Sequence, residues 1–351
     1  MRSDYAHTLL IGALVITSGC GSTSPVENKP PPPAEALTLA QDLVPVSGTS
    51  NAAFLSVWSA GSENVWFAGG STGDASGLIA RLDGDVIRRE PTPPGPLLWW
   101  LFGIDTERIW AVGEHGRILK RNENGWTDES PTLDERSVLW GVWGAGPNDL
   151  WAVGGSVRRN GPKGLVLRSD GRGDWTRIED AAIPTDLNLY KVWGTAADNV
   201  YIVGEGGVVI HWDGTGFSRV DTGVLDLIFT VHGQTNGPII AVGGLMSGHI
   251  FRANENQWVD ESVTGTPGLN GVFVRKDGLV LATGNRGIVL LRSQEGHWYP
   301  IQLDARQIIG GRTLHAVLSQ EHVWSVGGDM NTLTDGLIIT DRRPLPRMEL
   351  E

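Results

Sequence analysis

Cysteine occurs once in 351 residues, at Cys20, so no disulfide can form within the chain. Basic residues are scarce as well: 28 Lys and Arg stand against 40 Asp and Glu, a formal net charge of −12. With no cationic surplus to neutralise phosphates, no nucleic-acid partner is expected. Long apolar runs are missing. The N-terminal run TLLIGALVIT, residues 8–17, falls well short of the roughly 20 residues that a membrane-crossing helix needs. Several chemistries also lack their signatures. The histidines, His7, His115, His211, His232, His249, His297, His315 and His322, follow no metal-ligand spacing. No P-loop occurs, and GEGGVV from Gly204 departs from GxGxxG. No cofactor and no metal site are expected.

What the N-terminus does contain is an address. The short apolar run follows Arg2 and ends at Thr17-Ser18-Gly19-Cys20, which gives a signal peptide over residues 1–19. Small residues leading to a cysteine resemble the bacterial lipobox, although Thr17 stands where Leu is usual. That resemblance implies lipidation of Cys20, and with Gly21 next an outer-membrane or surface location in the envelope. Residues 20–36 then read as a proline-rich tether, with four consecutive prolines at 30–33.

The remainder is repetitive. LWGVWGAGPNDLWAVGG (139–155) returns as FLSVWSAGSENVWFAGG from Phe54, LWWLFGIDTERIWAVGE from Leu98 and LYKVWGTAADNVYIVGE from Leu189. Fainter copies begin at Ile228, Leu269 and Leu314. Seven glycines anchor them: Gly69, Gly113, Gly154, Gly204, Gly243, Gly284 and Gly327, spaced 39 to 50 residues apart. Inside that variable period lies a fixed ruler. Trp58, Phe102, Trp143, Trp193, His232 and Phe273 each precede their glycine by 11 residues, and Leu318 precedes Gly327 by 9. Constant spacing inside a variable period means a rigid hairpin joined by adjustable loops, and Pro147-Asn148-Asp149 or Asp198-Asn199 supply its turn. The alternation expected of half-buried strands is read from Leu150, Trp151, Ala152 and Val153. A third strand opens on Gly77, Gly116, Gly164, Gly207, Gly248, Gly287 or Gly336. After turns such as Asp170-Gly171, a fourth opens on Trp126, Trp175, Phe217, Trp258 or Trp298.

Four antiparallel strands per repeat, seven times over, predict an all-β, seven-bladed β-propeller across residues 37–343, with 344–351 as a C-terminal tail. The seventh repeat lacks an aromatic fourth strand. Residues 37–42 are expected to supply it from the other end of the chain, beside residues 336–340, closing the ring and covering its open edges.

The second-to-third and fourth-to-first loops vary most in length, which marks their shared face as the expected binding surface. Near the start of strand one lie Leu55, Trp99, Trp140, Tyr190, Phe229, Asn270 and His315. Two roles fit this set: a collar at the mouth of the axial channel that stacks on a sugar or peptide, or packing between blades. Trp66, Trp110, Trp151, Tyr201 and Trp324 are expected in the core.

Repeats of the form VWG…[DN]-[LIV]-W-A-V-G, followed by G-x-[IVL]-[LIV]-x-x-[DN]-G-x-x-W, resemble propeller repeats of secreted and lipid-anchored myxobacterial proteins. They are also similar to BNR-type and photosystem II assembly-factor-like repeats. The resemblance implies an extracytoplasmic, monomeric, non-catalytic module that binds a protein or glycan in the envelope. The second reading is a glycoside hydrolase or lyase of sialidase type acting on an envelope polysaccharide. Ser169-Asp170-Gly171 with Trp175 matches the sialidase box only in part. The tyrosines, Tyr5, Tyr190, Tyr201 and Tyr299, sit in the signal or at repeat-equivalent positions rather than as a lone nucleophile.

Overall fold

Each repeat folds into one antiparallel sheet whose strands follow chain order from the axis outwards. The computed structural model describes residues 31–48, 50–71, 76–254, 257–303 and 311–350. The signal peptide and Cys20 lie outside the described residues. Strand one of the seven blades runs Ala53–Ser59, Leu98–Asp105, Val138–Gly146, Leu189–Ala196, Ile228–Gly233, Leu269–Val274 and Thr313–Ser319. These strands form the inner ring, and their neighbours in each sheet are the second, third and fourth strands in turn. The protein is thus an all-β, seven-bladed propeller, as the repeats predict.

The anchoring glycines have a steric origin. Gly154 pairs with Leu139 across the first hairpin, and the register then slips by one residue before Gly141 meets Val153. The same slip follows Phe54, Leu98, Leu189, Ile228, Leu269 and Leu314. Each is a β-bulge on strand one, and each brings a backbone carbonyl against the glycine facing it. At all seven glycines a Cβ would lie far inside van der Waals contact with that carbonyl oxygen, Val138 O in the case of Gly154.

The Trp-Gly pair of the repeat serves the next blade. The Trp58 ring lies on Gly103, where a Cβ would come within 2.7 Å of the indole, and the Trp143 ring lies on Gly194 at 2.8 Å. The second strands differ from the expected alternation. Leu150, Trp151, Ala152 and Val153 are all buried, because both faces of an inner strand are covered by neighbouring blades. Trp66, Trp110, Trp151 and Trp324 are buried in the core, while Tyr201 is half-buried and stacks on His211 at 4.5 Å. Cations from the third strand cover several of these indoles, Arg81 over Trp66 at 4.7 Å and Arg168 over Trp151 at 4.6 Å. Fourth strands are more exposed, at the outer edge of each blade; in Trp175–Arg177 the indole is buried and the next two residues are exposed.

Ring closure holds in kind and differs in place. Residues 37–42 do not form a strand; Ala34–Asp42 is an α-helix. Its sequence, AEALTLAQD, is rich in strong helix formers, and Glu35 lies in the first turn where the helix dipole favours an acid. Ala36, Leu39 and Leu43 share one side and pack among Leu281, Leu291, Leu314 and Ile339 of blades six and seven. The closing strand is the next segment, Val44–Pro45, antiparallel to Thr340 and Ile339. The expected tail also joins in. Arg347–Glu349 adds a fifth strand to blade one, parallel to Val86, Ile87 and Arg88. Ser47 O accepts a hydrogen bond from Met348 N–H at 2.8 Å, so the two ends of the propeller meet. Arg342, buried at 5% exposure, fastens this seam through Asp85 at 2.9 Å and Glu63 at 3.0 Å.

If the bulge requires a bare Cα opposite it, Gly154→Ala costs about 3 kcal/mol or more. Gly146→Ala, at a site with nothing within 4 Å, changes stability by about 0.5 kcal/mol or less. Urea midpoints of the two variants provide the comparison.

Candidate functional site

The bulge decides where the side chains of strand one go. The extra residue in each blade is Leu55, Trp99, Trp140, Tyr190, Phe229, Asn270 or His315, the expected collar. The structure does bring these residues together around the axis. Trp140 meets Tyr190 edge-on at 5.2 Å, Tyr190 meets Phe229 at 5.3 Å, and Trp99 meets His315 at 6.1 Å. Three of them have polar atoms held within their own blades. Trp99 Nε1–H donates to Glu114 at 2.9 Å, the Tyr190 hydroxyl to Glu205 at 3.1 Å, and Asn270 to Asn285 at 3.1 Å. Each acceptor directly follows an anchoring glycine. Burial raises the Glu114 carboxyl above its ordinary pKa against the opposing pull of the Trp99 bond. Burial, with the adjacent Glu205 carboxylate, raises the Tyr190 hydroxyl.

The large axial cavity lies further along strand one. It has a volume of about 1050 Å³ and is lined by the second half of the inner strands and the turns that follow them. None of Trp99, Trp140, Tyr190, Phe229, Asn270 or His315 lines it. It opens between the first-to-second turns, at Ser62, Asp105, Thr195, Gln234, Lys276 and Glu321. That is the face opposite the variable loops, which contribute no described residue to the lining.

The walls are the residues of the ruler. Trp58, Phe102, Trp143, Trp193, His232, Phe273 and Leu318, one per blade, all line the cavity. His232 stacks on Phe273 at 4.4 Å and meets Trp193 at 5.3 Å; Phe102 meets Trp143 at 6.3 Å. The signal that finds this ring is present in the repeats: an aromatic or imidazole ring 11 residues ahead of the glycine in six copies. Its reading as a mere spacer misses that beyond the bulge residues two apart share a side, so Lys191 and Trp193, or Thr230 and His232, face the same space.

Polar groups are few at depth. Thr230 Oγ1 donates to Asn270 O at 2.5 Å, linking blade five to blade six. His232 Nδ1 accepts from Val274 N–H at 3.0 Å, which leaves the ring neutral with its other nitrogen protonated. Burial pushes the His232 pKa down to about 3. Burial first, then the charge of Lys191, push His315 down to about 4, against the bond it makes to Leu55 O. Charges gather at the rim: Asp105 is held by Arg108 at 2.8 Å, and Arg275 by Glu35 at 2.7 Å. The Arg108 guanidinium lowers the Asp105 pKa. Among the described residues, no three His, Cys, Asp or Glu side chains converge closely enough to hold a metal ion.

No family model matches the chain, and no curated protein does. Solved propellers match its fold. The WD40 β-propeller domain of Doa1 aligns with a TM-score of 0.63 at 10% identity, covering 86% of this chain and 96% of that one. The extracellular domains of two B. thetaiotaomicron proteins assigned as hybrid two component systems, BT4673 and BT3049, align with TM-scores of 0.63 and 0.60. Their identities are 14% and 12%, and they cover 84% and 83% of this chain. This chain spans about 40% of the length of those two domains. At these identities the likeness is one of fold.

The two histidines make stability depend on pH in a definite sense. In the unfolded chain they take up protons near pH 6.5, whereas in the folded protein they do so only near 3 and 4. Protons therefore favour the unfolded chain, and these residues lower stability as the pH falls from about 6.5 towards 4. His232→Phe should flatten that part of the stability curve. Imidazole resonances of His232 that titrate above pH 5 would contradict the assignment.

Proposed function

We propose that this protein is a non-catalytic binding module of the bacterial envelope that receives the chain end of a protein or glycan partner in its axial cavity. The observation that carries the reading is the ring of Trp58, Phe102, Trp143, Trp193, His232 and Phe273 around a cavity of about 1050 Å³. Concave, mainly apolar and aromatic walls with a few placed polar groups are the usual form of a ligand site. Flat rings whose positions are set by the neighbouring blade bind with little loss of side-chain freedom. Among the described residues, two of the three carboxylates that line the cavity are already engaged, which supports binding over hydrolysis. Asp105 and Asp277 are each engaged by an arginine at the rim, Arg108 and Arg275, and neither lies at the depth of the ring.

An extracytoplasmic location and a lipid anchor at Cys20 rest on the N-terminal sequence, where a short apolar run ends in small residues before the single cysteine. The proline-rich segment, which gives way to the helix at Ala34, then links the anchor to the propeller. The likeness to extracellular propeller domains accords with this placement.

Capture from envelope extract and a glycan array should both compare the wild type with Phe102→Ala and Phe273→Ala. These changes are expected to weaken partner retention at least about tenfold, an ordinary cost for truncating a buried aromatic contact. Trp99→Ala, on the opposite side, should leave retention unchanged; the reverse pattern would move the site to the variable-loop face. Release of a shortened glycan product would instead support the hydrolase reading. Cys20→Ser is expected to shift the protein from the membrane fraction to the aqueous one.

A further inference from the structure

At the inner end of the cavity lies a group that the ring of aromatics does not explain. Lys191, on strand one of blade four, lines the cavity and is only 4% exposed. Its Nζ sits 2.8 Å from the centroid of the Trp100 ring, which lines the same space. Among the described residues no carboxylate pairs with it and no hydrogen bond engages its ammonium group. The other buried cations are served differently. Arg292 is held by Glu261 at 2.8 Å, Arg342 by Asp85 and Glu63, and Arg117 by Pro96 O at 2.9 Å.

The neighbours on the same level of the ring make the contrast sharper. At the equivalent position the other blades carry Ser56, Trp100, Gly141, Thr230, Gly271 and Ala316. Gly141 and Gly271 press directly on adjacent blades, so that a Cβ on Gly141 would come within 3.0 Å of the Lys191 Cα. An uncharged side chain would fill the place of Lys191 at far less cost than a buried amine. The Trp100 π face offsets part of that cost, and the remainder stands as long as the cavity holds no anion. Burial accordingly holds the amine well below the ordinary lysine pKa.

We propose that Lys191 is the anchor for a carboxylate at the end of an apolar ligand, which enters the cavity lengthwise and leads with its acidic group. This rests on the axial cavity being the binding site. The class of ligand follows from the walls. Trp100 and Leu318, in phase with the cavity, join the aromatic ring in the lining. With the Thr230 hydroxyl and one His232 nitrogen already engaged by backbone groups, the depth has few partners for the several hydroxyls of a sugar. An apolar body with one terminal carboxylate matches this distribution: the body is covered by the rings and by Leu318, and the anion meets the ammonium. Two sources supply such a group, a small organic acid and the C-terminus of an apolar peptide.

The test is titration calorimetry on the full propeller with paired probes: phenylbutyrate against phenylbutyramide, and an apolar hexapeptide with a free C-terminus against its amide. Each acid is expected to bind about tenfold or more tightly than its neutral partner, because a charge-assisted contact is lost with the charge. The pair with the larger ratio identifies the source. Lys191→Met should abolish the preference while raising the melting temperature, since an unpaired buried amine is replaced by an apolar chain. A merely structural lysine would lower it. Equal binding of acid and amide overturns the carboxylate anchor and leaves the cavity reading standing, provided that Phe273→Ala weakens both. Binding that Phe273→Ala does not affect overturns the cavity reading as well.

Discussion

The close seat of strand one on strand two is the constraint on which the molecule depends. A backbone carbonyl occupies the place that a side chain would need, so each repeat must present a bare Cα there, and the chain takes up the extra residue as a bulge. Everything at the axis follows from that slip. One side chain per blade is turned towards the start of the strand, where five of them meet ring against ring. The residues beyond the bulge fall into phase with the cavity. Because the slip repeats in every blade, a single local geometry produces a ring of rings.

Blades are joined by contacts that reuse the same short motif. An indole from one blade lies on the glycine of the next, and polar side chains of strand one bond to the backbone of its neighbour, as Ser56 does to Leu101 N–H at 3.0 Å. At the outer rim a carboxylate behind one blade receives the indole of the following one. Glu90 accepts from Trp126 at 2.6 Å and Glu261 from Trp298 at 3.1 Å. Rings placed in this way are fixed before any ligand arrives. The electrostatics are correspondingly uneven: Asp105 and Arg275 at the rim are paired, whereas the interior holds a neutral imidazole and one amine beside an indole.

Blade number, strand order and the anchoring residues were legible in the repeats, since Gly154 and its six counterparts keep their distance from Trp143 and its counterparts while the loops drift. Other features were not. The alternation read along Leu150 to Val153 is absent, because burial on both faces removes the polar positions that would mark it. Residues 37–42 form a helix although LTLA alternates like a strand; the apolar side of Ala36, Leu39 and Leu43 emerges only on a longer window, and blades six and seven provide the surface that rewards it. The terminal segment around Arg347 carries no strand pattern of its own and pairs because Ser47 and blade one leave an edge open beside it.

The amino-acid sequence by itself determined the sevenfold propeller, the turns within each blade and the aromatic or imidazole ring that six of the seven inner strands would carry. Only the tertiary structure decided which aromatics line a cavity, on which face it opens, and that Lys191 stands inside it with no counter-ion among the described residues. The reason is physical. Periodicity reports which residues share a side of one strand, but a one-residue bulge shifts that phase. The axis is an empty space that no single repeat contains and that exists only once seven inner strands surround it.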